Sequence, residues 1–173
     1  MTTSELKGLI RDIVDFPKPG IVFRDLTPLL SDARALASVV DQLAEPLLGK
    51  VDLVVGIESR GFIVGAPVAY RLGVGLAIAR KPGKLPYQKV AQTYALEYGS
   101  DSLEMHRDAI GGHKRIAIID DLLATGGTAH ATSLLVHQLG GEVVGCAFLI
   151  ELGALGGRER LAPLNCFSLI KYD

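Results

Sequence analysis

Four short apolar runs constrain this chain more than any other feature. They are VDLVVG from Val51, LAIAR from Leu76, RIAIID from Arg115 and EVVGCAFLI from Glu142. Each is apolar at successive positions, so each must be covered on both faces. That is the signature of strands inside a mostly parallel sheet. A fifth run, CFSLIKY from Cys166, closes the series. Between them lie stretches of helical character: SRGFIVGAPVAYRL, with Ser59 as a candidate cap, and Thr128 to Leu139. Strands alternating with helices predict an α/β fold, a mostly parallel central sheet flanked by helices. Such sheets bind ligands at the carboxyl ends of their strands.

The remaining segments fit around that core. Thr2 or Ser4 caps a first helix whose apolar face runs Leu6, Leu9, Ile10, Ile13 and Val14. Pro17 and Pro19 stop it and force an extended stretch. Ser31 or Asp32 opens a second helix with Leu36, Val39, Val40 and Leu43 on one side, ending near Pro46. KPGKLPYQKVAQ, from Lys81, reads as a loop. TYALEYG and DSLEM read as a hairpin outside the main sheet. With 173 residues the chain suits one domain spanning 1–173: an N-terminal hood over 1–30, a core over 31–150 and a C-terminal segment over 151–173.

Composition excludes several classes. A formal net charge of -1 argues against a general nucleic-acid binder. The run Leu122 to Gly141 lacks Asp, Glu, Lys and Arg, but its His, Gln, Thr and Gly make a poor membrane span. The N-terminus MTTSELKGLIRDI carries charges where a signal peptide needs apolar residues, so a cytoplasmic location is expected. Cys146 and Cys166 sit among apolar residues and are expected to be buried, reduced thiols. The four histidines, His106, His113, His130 and His137, have no zinc-ligand spacing.

The chemistry centres on IAIIDDLLATGGT, residues 116–128. Gly126 and Gly127 open backbone conformations closed to other residues. Successive amides can then point into one anion nest, backed by a helix N-terminus with a partial charge of roughly +0.5. Thr125 and Thr128 add hydroxyl donors. A phosphate monoester fits Ala124 to Thr128, although a tight turn that binds nothing has the same sequence. Asp120 and Asp121 cannot serve a phosphate directly, since carboxylates only accept. They can take sugar hydroxyls or hold a cation through water. Strand end, carboxylate pair and phosphate nest follow the order of a sugar phosphate. No G-x-x-x-x-G-K-[ST] occurs, and GVG at Gly73 to Gly75 lacks the third glycine of a dinucleotide loop.

That segment resembles the phosphoribosyl-diphosphate motif of the type I phosphoribosyltransferases at all thirteen positions. FPKPGIVFRDLTPLL, GIESRGFIVG, RKPGKLP, LEYG, HRDAI and GRERLAP are similar, in order, to the adenine-specific branch of that family. The resemblance implies transfer of the 5-phosphoribosyl group from phosphoribosyl diphosphate to N9 of adenine, giving AMP and diphosphate. It implies magnesium (Mg2+) as cofactor and a homodimer, with no membrane or nucleic-acid partner. The magnesium is held mainly through substrate and water near Asp120 and Asp121, with no direct protein ligand assigned.

Carried over position by position, the resemblance gives Asp120, Asp121, Ala124, Thr125, Gly126, Gly127 and Thr128 to ribose 5-phosphate. It gives Ser59, Arg60 and Gly61, with Arg80, Lys81 and Lys84, to the diphosphate. One peptide bond in the Ser59 loop is expected to be cis. Glu97 and Tyr98 of LEYG match catalytic-loop residues, with Arg60 beside them in the catalytic set. The stretch Pro82 to Thr93 would form a flexible hairpin lid, whose individual residues the pattern does not assign. Val22, Phe23 and Arg24, with Leu152, would read adenine. A transferase for another purine base, or a ligand-sensing regulator, are the competing readings. A regulator should carry an added DNA-binding domain or a basic face, and this sequence has no such excess of positive charge.

Overall fold

The structure, a computed structural model, describes residues 1–95 and 100–173. Its centre is a parallel sheet of five strands: β3 (Leu53–Ile57), β4 (Gly75–Ala79), β7 (Arg115–Leu123), β8 (Glu142–Leu152) and β9 (Cys166–Tyr172). The order across the sheet is β4-β3-β7-β8-β9. Every strand pair in it is parallel, as the two-sided apolar runs required. Two smaller antiparallel pairs stand apart: β1 (Arg11–Val14) with β2 (Val22–Asp25), and β5 (Lys89–Ala95) with β6 (Ser100–His106).

The helices cover both faces. α3 (Ala33–Ala44) and α4 (Arg60–Leu72) bury Val39, Leu43, Val64 and Val68 against Val54, Ala117 and Ile119. On the opposite face, α5 (Gly127–Gln138) and the β5–β6 hairpin bury Leu135, Tyr94, Leu103 and Met105 against Val55, Ile118 and Phe148. Three shorter helices complete the fold: α1 (Thr3–Lys7), α2 (Thr27–Ser31) and α6 (Gly157–Leu161). Asp32 caps α3, its carboxylate accepting from the amides of Arg34 and Ala35 at 2.9 Å. A capping box of Thr2 and Glu5 starts α1.

Two expectations change. The first helix stops at Lys7, and Ile13 and Val14 belong to β1. Spacing alone could not separate these: Arg11–Val14 pairs with Asp25–Val22, and that distant partner decides the conformation. The stretch from Lys81 is not all loop, because its last four residues, Lys89 to Gln92, begin β5. Ala91 and Thr93 face outward, while Tyr94 goes inward and joins the core cluster that includes α5. The two thiols also differ. Cys146 is buried and Cys166 only partly so, paired in register on β8 and β9. Among the described residues no helix is long and apolar enough to cross a membrane.

Candidate active site

The carboxyl ends of β3 and β7 open into one cleft of about 330 Å³. Glu58, Ser59, Arg60 and Lys81 form one wall, and residues 120–129 form the other. Two turns of the chain shape it, one after each strand.

Strand β7 delivers both aspartates to the same cleft by breaking its own alternation. Ile116 and Ile118 pack on the α5 side, and Ala117 and Ile119 on the α3–α4 side. Strict alternation would then put Leu123 with Ile119. Instead Leu122 joins the α3–α4 side and Leu123 the α5 side. The phase inverts across Asp120 and Asp121, just past Ile119, the last residue of β7 paired with β3. Both side chains line the cleft and both residues are buried, 9% and 6% exposed.

Burial, then the neighbouring Asp121 charge, pushes the Asp120 carboxyl well above its usual range. Burial raises Asp121 as well, opposed by the Arg60 guanidinium, whose Nε lies 3.0 Å from Asp121 Oδ2. The Asp121 amide donates to Asp120 Oδ1 at 2.9 Å. Gly61 lets α4 approach this pair, since a Cβ there would lie 2.6 Å from Asp120 Oδ1. The pair is thus short of positive charge and of hydrogen-bond donors. Hydroxyls from a ligand can fill that role.

The loop after β7 has the form that an anion nest requires. Gly126 takes a left-handed conformation, φ 76°, as the cap of α5. Among the described residues, the amides from Thr125 to Ala129 donate to no main-chain or side-chain acceptor. The loop is held from behind by the segment after β8. A Cβ on Gly126 would lie 2.6 Å from the Gly157 carbonyl oxygen, and a Cβ on Gly157 would overlap the Ala124 carbonyl. Arg160 Nη1 lies 3.3 Å from the point where a Cβ on Gly127 would stand, close to the helix start.

Around the loop after β3, the Glu58–Ser59 peptide bond is cis. Ser59 occupies the cap position of α4 but makes no capping hydrogen bond, so its hydroxyl remains available to the cleft. Arg80 does not line this cleft. Its Nε and Nη2 donate to Glu58 at 3.2 and 3.3 Å, and Nη1 donates to the Lys84 carbonyl. Burial acts to raise the Glu58 carboxyl, but the Lys81 amide and Arg80 outweigh it and leave it lowered. Lys81 does line the cleft, with its ammonium on Asp101 and on Tyr94 Oη. Lys84 is exposed at the rim. Of the three cations expected near the diphosphate, the structure therefore brings one into the cleft.

Of the residues assigned to the base, Phe23 approaches the cleft through Arg60, while Arg24 and Leu152 meet at Tyr172. Phe23 packs edge-on against Phe16 at 5.3 Å, and the Arg60 guanidinium lies 5.1 Å from the Phe23 ring centroid. Arg60 thereby joins the hood to Asp121. Val22 is exposed. The Arg24 side chain pairs with Asp12 and stacks 3.9 Å over Tyr172. Leu152 ends β8 in register with Tyr172, half-buried against the α3–α4 core. Glu97 and Tyr98 lie outside the described residues.

Five contributors went unassigned in the sequence: Glu58, Tyr94, Asp101, Gly157 and Arg160. Gly157 and Arg160 fall inside GRERLAP and Glu58 inside GIESRG, so the motifs marked their places without their roles. Tyr94 and Asp101 had no local signal, because their partners are remote in sequence.

A parallel sheet whose strand ends carry a carboxylate pair and an anion nest defines a class, the phosphoribosyl-transferring proteins. The family model for the phosphoribosyl transferase domain matches residues 26–173, and the chain belongs to that family. Within it the relatives are specific. The adenine phosphoribosyltransferase of Desulfitobacterium hafniense is 58% identical over 173 residues, covering 99% of this chain and 100% of that one. That of Acidobacterium capsulatum is 57% identical, covering 97% and 93%. Among solved structures, adenine phosphoribosyltransferase from Thermoanaerobacter pseudethanolicus superposes with a TM-score of 0.95 at 52% identity, covering 99% and 100%. The enzyme from Saccharomyces cerevisiae, complexed with an imino-altritol bisphosphate and adenine, gives 0.91 at 38%, covering 97% and 98%. The chain thus stands in the adenine phosphoribosyltransferase branch of the family.

Proposed function

We propose that this chain transfers the 5-phosphoribosyl group of phosphoribosyl diphosphate to N9 of adenine, forming AMP and releasing diphosphate. The observation that carries the reading is the cleft itself. Two buried carboxylates with few donors of their own stand beside five main-chain amides that lack acceptors among the described residues, in the order a ribose 5-phosphate needs. The ribose hydroxyls donate to Asp120 and Asp121, and the 5-phosphate takes the amides and hydroxyls from Ala124 to Thr128. Ser59, Arg60, Gly61 and Lys81 face the diphosphate, with Arg80 and Lys84 behind them.

In the reaction the bond from C1′ to the diphosphate oxygen breaks and a bond from C1′ to N9 forms. Positive charge grows on the sugar in between, and the two nearby carboxylates favour it electrostatically. The diphosphate gains negative charge, which Lys81 and Arg60 stabilise. Glu97 takes the proton that adenine loses, and Tyr98 lies beside it in the catalytic loop. Both roles rest on the LEYG resemblance. Phe23 and Leu152 flank the base, and main-chain groups from Val22 to Arg24 read its edge. Adenine presents a donor at N6 and an acceptor at N1, and hypoxanthine reverses both. A wired site leaves its own groups unpaired with the wrong base, a penalty of up to ~10⁴-fold.

Among the described residues no cluster of three His, Cys, Asp or Glu could hold a metal. A carboxylate pair without further protein ligands suits Mg2+, which keeps its waters and binds substrate oxygens. When bound it neutralises charge on the leaving diphosphate. We place the enzyme in the cytoplasm as a homodimer, following the family. Incubation with adenine, phosphoribosyl diphosphate and Mg2+ should yield AMP. Equal rates with hypoxanthine would overturn the base assignment.

A further inference from the structure

Lys81 reaches the cleft but is already engaged. Its main chain is pinned, the amide donating to Glu58 Oε2 at 2.8 Å, so only the side chain can swing. That side chain holds Asp101 of β6 in an ion pair and donates to Tyr94 Oη of β5 at 3.1 Å. Tyr94 and Asp101 face each other in register, with Tyr94 Oη donating to Asp101 Oδ2 at 3.3 Å. Thr128 of the phosphate loop donates to the same Tyr94 oxygen at 3.5 Å. One chain of contacts therefore runs from the phosphate loop to the hairpin: Thr128, Tyr94, Lys81, Asp101.

We propose that Asp101 is a positioning residue that latches Lys81 to the hairpin until the diphosphate of the substrate takes its place. The proposal rests on reading the cleft as a phosphoribosyl diphosphate site. A diphosphate carries more charge than one carboxylate and offers several acceptor oxygens at once, so it wins the exchange. Asp101 loses little on release, since its side chain is 29% exposed and water can take over. Lys81 keeps its proton throughout. Burial acts to lower its pKa, but the Asp101 and Tyr94 hydrogen bonds outweigh that and raise it. Occupancy of the cleft and the Lys81–Asp101 ion pair are thus coupled through one ammonium group.

The test is equilibrium binding, in Mg2+ buffer without adenine, of phosphoribosyl diphosphate and of ribose 5-phosphate. Asp101→Asn keeps the shape and removes the competing charge. It should tighten phosphoribosyl diphosphate about three- to fivefold, the worth of a half-exposed ion pair. Ribose 5-phosphate has no diphosphate and should bind unchanged. The gain should vanish when Lys81→Met is added, and Asp101→Glu should behave as the parent. KM for phosphoribosyl diphosphate should fall by the same factor without a rise in kcat. Asp101→Ser serves the same purpose if the asparagine variant melts early. Unchanged or weaker binding by both variants would sink the latch, as would equal tightening of ribose 5-phosphate. A parent protein that binds neither ligand would overturn the reading of the cleft, and the latch with it.

Discussion

Asp120 and Asp121 differ in what the fold does to them, and that difference can be measured. Asp121 has Arg60 at 3.0 Å, whereas burial and the Asp121 charge leave Asp120 the more strongly raised. A raised carboxyl penalises the folded state above the ordinary aspartate value of 3.8, increasingly as pH climbs to its folded pKa. Asp120→Asn should therefore raise the melting temperature at pH 8 more than at pH 4, while losing activity. Parallel thermal melts from pH 4 to 8 check this, and a gain that is the same at every pH would count against it. Asp121→Asn should cut kcat/KM by about 10²-fold or more through lost ribose alignment, with the circular dichroism spectrum intact. Near-normal turnover would remove it from the ribose contacts. Gly157→Ala pushes a methyl into the Ala124 carbonyl, so it should raise KM for phosphoribosyl diphosphate at least tenfold. Glu97→Gln should lower kcat more than it weakens binding, and an unchanged kcat would take Glu97 off the catalytic list.

At the scale of elements, the sheet strands and the long helices were legible because each is specified locally. Leu53–Ile57 and Ile116–Ile119 are apolar at every position, and no other element suits such a run in a chain of this kind. Ile13 and Val14 misled because β1 is determined by its partner β2, not by its own pattern. Lys89 to Gln92 misled because none of its residues is fully buried and its sequence continues the Pro, Gly and Lys of the preceding loop. At the site, the motifs singled out Ser59, Arg60, Asp120, Asp121 and Ala124 to Thr128, and all of these line one cleft. They did not reveal that Arg80 is occupied by Glu58 or Lys81 by Asp101, since each pairing crosses at least twenty residues of chain. A second cross-element tie can be tested. Arg115, at the start of β7, donates through Nη2 to Asp52 at 2.6 Å, just before β3. That hydrogen bond leads the causes that lower the Asp52 carboxyl to about 2. A depressed carboxyl contributes stability that is present above the unfolded value of 3.8 and is lost as pH falls through about 2. Asp52→Asn should shrink the drop in melting temperature between pH 4 and 2, and an unaltered acid limb would contradict this.

For the molecule as a whole, the arrangement is one of covered strands with all their carboxyl ends on one side. Two loops from neighbouring strands make the cleft, and two antiparallel hairpins flank it, the hood through Phe23 and the other through Tyr94. The expected homodimer should give twice the monomer mass by light scattering across micromolar concentrations. A persistent monomer with full activity would refute the need for a partner. The close seating of Gly126 on Gly157 has a further consequence, for engineering. The stretch that begins at Leu152, proposed above to flank the base, also backs the loop proposed to hold the phosphate. Anyone who grafts that stretch from a relative with another purine preference will disturb how the sugar phosphate is held, unless the donor also has glycine at position 157. On the proposed function, selectivity for the base and affinity for the common substrate would not be independently adjustable, because one turn of backbone would serve both.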